Sequence, residues 1–568
     1  MRIPIFPLVI IFVVFFTQGC INKATRKKPV HGSFFNIDTT IRTLDIPLYT
    51  GAHQWKGSAW RGERISCQLI VWAPERIENV DISIPDLSGQ DNAIISSEHI
   101  KPFKIEYVMT DEYGDGCSKK GILNYDSSLV ADVLDPIQAP FNLETRIPQL
   151  VWISVDIPQT AEPGTYKGSI ELLGNQKRLL DLKMEIEVLS PELPVPSQWM
   201  FHLDLWQNPF AVARYFKVDL WSDKHFELMK PTFEMLANAG QKCITTTITD
   251  KPWAGQTFDP FESMVKKTRK LDGSWMYDYS VFDSWVEFVI ECGIDDQINC
   301  YSMVSWSNTY TYFDAALKKD ISVLCNPGTI AYNQLWSPFL NDFNKHLIVK
   351  GWKDITAISM DERSFEELTE VIKLVDKEAP GLKIALAGGY HPELNEELYD
   401  LSVASRYIVP VENLSQRRNA GFKTTFYVCC VEEQPNTFTF SNPADATYLA
   451  WYAANRQFDG MLRWSYNSWP LDPLKDSRFR SFPAGDVFIV YPGGKSSVRF
   501  ERLREGIQDY EKIRILRSGF EQEQTEEAKA KLKVLIDHLK KFDVVSLDTI
   551  PSSTIVARGK ELLYQYSR

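Results

Sequence analysis

Two neighbouring carboxylates, Asp361 and Glu362, stand in the stretch DITAISMDERSFEELTEVIKLVD (354–376), where an alternating apolar run meets an amphipathic helical pattern. Acids at such a join can cap the helix, because its first turn offers unpaired N–H groups and the favourable end of the dipole. They can ligate a metal, but that needs several more oxygen or nitrogen ligands than the sequence organises. Or they can act as a pair on a bound substrate. No metal and no other cofactor is expected from the residues.

The elements around the pair favour the third use. From Trp199 onward eight short apolar runs recur: WMFHLDLW at 199, CITTTIT at 243, QINCYSMVSW at 297, ITAISMDE at 355, LKIALAGGY at 382, RYIVPVEN at 406, KTTFYVCCVEE at 423 and GMLRWSYNSW at 460. Helical patterns follow most of them, among them FELMKPTFEMLANAG and ADATYLAWYAANRQ. Strand alternating with helix implies parallel strands with crossover helices, and eight such units predict a (β/α)8 barrel over 196–517. An open doubly wound sheet is the alternative, but no glycine-rich loop follows the first strand. YPGGKSS at 491 has Ile489 where a phosphate loop needs its first glycine.

Ahead of the barrel, GERISCQLIVWAP and QLVWISVDIP alternate apolar with polar residues, which predicts an all-β sandwich over 31–195. SPELPVPSQ (190–198) closes that domain as a stiff linker. After Arg517 a small helical appendage is expected over 518–568. MRIPIFPLVIIFVVFFTQGC reads as a secretory signal over 1–20, and its Gly19-Cys20 end resembles a lipobox. Cys20 would then carry the lipid, followed by a tether over 21–30, giving an exported, membrane-anchored protein, periplasmic or at the cell surface. The other eight cysteines are scattered without C-x-x-C spacing, so neither a zinc site nor a disulfide framework is indicated. The net charge of −12 comes without a basic stripe, which excludes nucleic acid as a partner. Oligomeric state is not legible.

Chemistry in such a barrel belongs where strands end. The expected ends are rich in acids and rings: His202, Asp204 and Trp206 on strand one, Trp306, Ser307 and Asn308 on strand three, Tyr390 and His391 on strand five. Strand seven brings Glu432 and Glu433, and strand eight Trp464, Tyr466, Asn467 and Trp469. Rings that stack on sugar C–H faces, beside acids that meet hydroxyls, suit a carbohydrate, although part of these aromatics is expected only to pack the mouth. Two glycosidase schemes stay open. In one, Glu362 and Glu432 act as acid and nucleophile. In the other, one acid protonates the leaving oxygen while the sugar's own 2-acetamido oxygen attacks, helped by high effective molarity, and a second acid holds that acetamido group.

SMDERSFEEL is similar to the Asp-Glu motif of glycoside hydrolase family 123, the retaining β-N-acetylgalactosaminidases. FDGMLRWSYNSWPLDP and GDVFIVYPGGKSSVRFERLREGIQDYEKI resemble that family's C-terminal barrel signatures. The resemblance implies a sandwich followed by a barrel, and a glycan substrate with a terminal β-linked 2-acetamido sugar. It implies Glu362 as acid/base, and Asp361 as the group that holds the acetamido N–H and stabilises an oxazolinium-like intermediate. Burial should then raise the pKa of Glu362 while Asp361 stays ionised. By position, Trp464, Tyr466, Asn467 and Trp469 would line the subsite. His202, Asp204, Trp306, Asn308, Tyr390 and His391 would surround it, and Arg499 with Glu501 would form a structural ion pair. A glycan-binding lipoprotein without turnover is the rival from another class.

Overall fold

The computed structural model describes residues 30–42, 51–111, 128–479, 482–523 and 525–568. The signal segment, Cys20 and nearly all of the tether lie outside the described residues.

The N-terminal part of the chain, up to Glu192, is a β-sandwich. Along Arg64–Trp72, Ile65, Cys67, Leu69 and Val71 are all buried, so every second residue turns to the core. Leu182, Met184, Ile186 and Val188 do the same along Lys177–Glu192, and the two sets meet in one hydrophobic core. One sheet runs in the order His31–Phe35, Arg64–Trp72, Gln149–Asp156, Ile100–Thr110, Ser128–Pro136, and ends on Ser496–Ser497. That last strand is contributed by the remainder of the chain.

Eight parallel strands form the barrel: His202–Leu205, Cys243–Thr247, Gln297–Tyr301, Thr356–Asp361, Lys383–Gly388, Asp400–Ala404, Lys423–Tyr427 and Gly460–Arg463. The first pairs in parallel with the eighth. The remaining seam, between the first and second strands, is joined by a parallel bridge at Leu203 and Gln241 and by Lys242 N–H donating to the Leu203 carbonyl at 2.9 Å. Helices follow the strands except after the fifth, where only a 3₁₀ turn, Pro392–Leu394, intervenes. The sixth strand is not the expected RYIVPVEN run. It is the buried Asp400–Ala404, and Ser405–Pro410 is the loop that leaves it. Pro410 has no N–H for a ladder and opens the helix Val411–Asn419 instead.

Two β/α loops carry a sheet of their own, with Lys266–Arg269 and Trp275–Asp278 after the second strand, Thr309–Asp314 and Lys319–Leu324 after the third. At the C-terminus the helix Val498–Glu523 runs unbroken through 517, where sequence periodicity ends the barrel, and the helices Glu526–Leu539 and Ser552–Tyr566 pack on it. This long helix is polar yet buried because it faces the sandwich. Arg499 pairs with Asp132 at 2.9 Å, Arg502 with Asp38 at 2.8 Å, and Lys512 with Glu63. The expected Arg499–Glu501 pair is therefore replaced: Glu501 accepts from Ser496 Oγ at 2.7 Å and faces Arg64 at 3.5 Å.

Candidate active site

The fourth strand ends on Asp361, and the helix Phe365–Glu378 begins four residues later. That helix is capped without the acid pair. Ser364 Oγ accepts from Glu367 N–H at 3.3 Å, and the Glu367 carboxylate accepts from Ser364 N–H at 3.3 Å, a capping box spelled S-F-E-E in the sequence. Asp361 and Glu362 are thus left for other work. In a continuing strand adjacent side chains would point to opposite faces. Here Glu362 takes a left-handed backbone, φ 50°, while its N–H donates to Ala387 at 2.8 Å. The chain turns at that residue, and both carboxylates line one pocket. A non-glycine residue held there costs about 1–2 kcal/mol, a strain that clusters at functional sites.

The pocket measures ≈ 440 Å³, within the usual range for small-ligand sites. Trp206, Trp306, Tyr427, Trp464 and Phe482 supply its rings, Gln256 and Arg406 further polar groups. Trp306 Nε1–H donates to Asp361 Oδ2 at 3.2 Å, and the Arg363 guanidinium stands 5.7 Å over the Trp306 ring while its Nε–H donates to the Asp361 carbonyl. The Tyr427 hydroxyl, at the end of the seventh strand, donates to Glu362 Oε1 at 2.8 Å. Trp464 is held by Asp486, which accepts from its Nε1–H at 3.1 Å and is itself paired with the buried Arg463. Burial first, and then the charge of Glu362, push the Asp361 carboxyl up to about 8, against the opposing pull of Arg363 and Trp306. This reverses the sequence expectation for Asp361, which holds its proton at neutral pH with the pocket as it stands.

A second cavity of ≈ 460 Å³ opens at the opposite end of the barrel, but its acids Asp459 and Glu521 are ion-paired with Arg418 and Arg517. The paired carboxylates that could do chemistry are in the first.

Of the residues expected at the site, Asp361, Glu362, Trp206, Trp306 and Trp464 come together in the pocket. The others do not. Tyr466 is fully buried with its hydroxyl on the Thr232 carbonyl at 2.9 Å, and Trp469 is fully buried with its indole N–H on Val490 at 2.8 Å. Asn467 braces the first β/α loop, accepting from Asn208 N–H at 2.8 Å. Eighth-strand pairing stops at Arg463, so the residues after Trp464 turn inward under the loop rather than out to the mouth. Asn308 donates to Glu367 and so supports the capping box. Tyr390 bonds Asn413, and His391 packs against Phe365, both on the outer side of the fifth-strand loop. Glu432 is held between two loops, accepting from Ser405 Oγ after the sixth strand at 3.1 Å and from Cys429 N–H on its own loop at 2.9 Å.

His202 and Asp204 belong to the barrel interior, because the first strand begins at His202 and places it at the floor. Burial would lower the His202 imidazole, but Asp400 at 3.1 Å outweighs it and raises its pKa. Asp204 accepts from Asn299 at 3.1 Å and is pushed up to about 7 by burial and by Asp400. His202, Cys243 and Asp400 offer ligand atoms within 4.8 Å of one another and are of a type to hold a cation. His202 Nε2, however, already meets Asp400 Oδ2 at 3.1 Å and Cys243 Sγ at 3.4 Å, and Gln297 donates to the same Asp400 oxygen at 2.7 Å, a hydrogen-bonded floor.

Sequence reasoning missed Tyr427, Arg406, Gln256 and Phe482. Tyr427 is the last residue of the strand KTTFY and therefore stands at the mouth, a position the alternation of that strand already implies. The other three sit on loops, where no periodicity reports direction. Scattered spacing also gave no sign that Cys430, beside the pocket, is disulfide-bonded.

Residues 206–516 match the glycoside hydrolase 123 catalytic domain, and residues 41–174 the glycoside hydrolase 123 N-terminal domain. A solved family 123 glycoside hydrolase from Clostridium perfringens, described for glycolipid glycan hydrolysis, is 26% identical with a TM-score of 0.84, over 95% of this chain and 97% of that one. A family 39 glycoside hydrolase from Bacteroides cellulosilyticus WH2 is 11% identical at a TM-score of 0.34, over 72% of this chain and 77% of that one. A Bacteroides ovatus GH5 xyloglucanase is 9% identical at 0.26, over 83% and 100%. No curated protein matches the sequence.

Proposed function

This chain belongs to glycoside hydrolase family 123, and on that premise we propose that it removes a terminal β-linked N-acetylgalactosamine from glycans with the substrate's 2-acetamido group as nucleophile. The observation that carries the reading is the turn at Glu362, which aims two consecutive carboxylates into one aromatic pocket while Ser364 and Glu367 cap the helix. Adjacent acids suit adjacent parts of one sugar. Glu362 gives its proton to the glycosidic oxygen as the acetamido oxygen closes on the anomeric carbon, and the C–O bond to the leaving group breaks. Asp361 accepts from the acetamido N–H and offsets the positive charge of the resulting oxazolinium. Glu362 then takes a proton from the water that opens the ring, restoring the acid.

The electrostatics add a step. Asp361 carries a proton in the free pocket, and an amide N–H arriving at its carboxylate favours the ionised form. The proton is then wanted on Glu362, whose Oε1 already accepts from Tyr427, leaving Oε2 to bear it. A two-carboxylate mechanism through Glu432 has no support in this geometry, since one Glu432 oxygen is engaged by Cys429 on its own loop and the other by Ser405 on the sixth-strand loop. The Clostridium perfringens relative acts on glycolipid glycans, which supports a lipid-carried glycan as substrate here. An exported protein anchored through Cys20 is part of the same proposal.

The test compares an aryl 2-acetamido β-galactoside with its 2-hydroxy analogue for wild type, Asp361→Asn and Glu362→Gln. Cleavage confined to the acetamido sugar, with a loss of about 10²–10⁴-fold in kcat for Asp361→Asn, is the expected result. Glu362→Gln should be partly spared by an activated aryl leaving group and fully impaired on an alkyl one. Equal cleavage of the 2-hydroxy sugar would sink the neighbouring-group reading. Saturable binding without turnover in the wild type would make the chain a glycan-binding protein instead.

A further inference from the structure

The sheet inserted after the second and third barrel strands serves none of the chemistry above. Its strands Lys266–Arg269 and Thr309–Asp314 run parallel and in register, Arg269 beside Asp314, so the two hairpin tips that follow them lie side by side. Their direction is given by the helix Ile330–Lys350, which descends from the mouth of the barrel to its floor. Tyr277 packs on Phe339 of that helix, and Tyr279, two residues on, packs on Phe343 and His346, nearer the floor. Trp275 and the tips ahead of it therefore lie at the mouth end, on the side where the pocket opens.

Each tip exposes a leucine. Leu271 is 79% exposed and Leu317 58%, with Trp275 against Tyr312 at their base. Arg269, Lys270, Lys318 and Lys319 surround them, exposed and without an ion pair among the described residues. The acids beside them are partly committed: Asp272 accepts from Ser274, and Asp314 caps the turn by accepting from the N–H groups of Ala316 and Leu317. Asp320 stays open to solvent. Other loops at the same end expose Ile330 (78%), Ile408 (72%) and Val431 (57%), the last on the pocket wall. Apolar tips ringed by cations, carried on separate loops of one face instead of a groove, match a flat apolar layer beneath an anionic surface. In a chain of net charge −12, such free cations at the mouth offset a general repulsion from that surface.

We propose that the paired hairpin tips dock the barrel mouth onto a lipid bilayer bearing anionic headgroups, so that glycans carried on lipids in that bilayer reach the Asp361–Glu362 pocket. What the docked surface presents for cleavage rests on the glycosidase reading, but the docking itself does not. The experiment uses the chain from residue 21 onward, which carries neither the apolar signal segment nor any acyl chain at Cys20. Co-sedimentation is measured with vesicles of phosphatidylcholine, with and without phosphatidylglycerol, for this parent and for Leu271→Asp with Leu317→Asp. Hydrolysis is followed on a β-N-acetylgalactosaminyl glycolipid in the same vesicles and on a soluble aryl glycoside. The parent should bind, more tightly with phosphatidylglycerol. The double substitution should weaken binding and slow cleavage of the embedded glycolipid by about tenfold or more, with the soluble glycoside unaffected. A parent that fails to sediment with either vesicle, or a variant that binds as well as the parent, overturns the docking. Loss of soluble activity in the parent would count against the glycosidase reading and leave the sedimentation result to judge the docking.

Discussion

Asp361 sits where burial and a neighbouring carboxylate both oppose its ionisation. Its pKa rises from 3.8 to about 8, whereas in the unfolded chain it ionises near the ordinary value. Between those two values the folded state holds a proton that the unfolded state has released, so this residue makes stability fall as pH rises through that window. Asp361→Asn removes the contribution. The melting temperature of the variant relative to wild type should therefore climb by several degrees between about pH 5 and about pH 8 in a thermal-shift series. An equal difference at both pH values would mean that Asp361 is not a strained acid. In the proposed mechanism the same substitution slows acetamido-assisted turnover by about 10²–10⁴-fold, a trade of activity for stability that active-site acids commonly make.

At the scale of elements, the position of Glu362 depends on the neighbouring strand. A Cβ on Gly388, at the end of the fifth strand, would come 3.3 Å from both the Cα and the N of Glu362, tighter than a Cβ ordinarily sits and against backbone that cannot swing away. Gly388→Ala should shift the Glu362 carboxylate by a few tenths of an ångström and lower kcat by about tenfold, since small misplacements of a reacting group carry large rate penalties. Because the displaced group is the proposed acid, the loss should be larger on substrates with poor leaving groups than on activated aryl glycosides. Steady-state kinetics on the two substrate types decides it, and an equal loss on both would assign the effect to general loosening of the site. The strand end was legible in the sequence, as was the join to the helix. The capping box was legible too, and reading it would have removed the capping role from the acid pair without any structure.

The molecule as a whole is held together by the helix Val498–Glu523, whose buried charges reach across to the sandwich. Lys512 pairs with Glu63 and Asp509, all three side chains fully buried. Removing one partner of such a cluster leaves an uncompensated charge and costs about 3–5 kcal/mol. Lys512→Met should accordingly lower the melting temperature by several degrees while leaving kcat per folded molecule intact, measured by calorimetry and active-site titration. A change in kcat with unaltered stability would contradict the structural role. Sequence periodicity reports which residues are removed from water, and so the sandwich, the barrel and the acid pair at the fourth strand were readable from it. It does not distinguish a ring that lines a mouth from one buried beneath it, which is why Tyr466 and Trp469 were expected beside Trp464. Nor does it say which partner a charge finds. Arg499 meets Asp132, far away in sequence, because the last strand of a sandwich sheet comes from the barrel side. Those choices belong to the tertiary structure, since they depend on where chains turn and which distant elements are brought together, and neither leaves a local pattern in the residues.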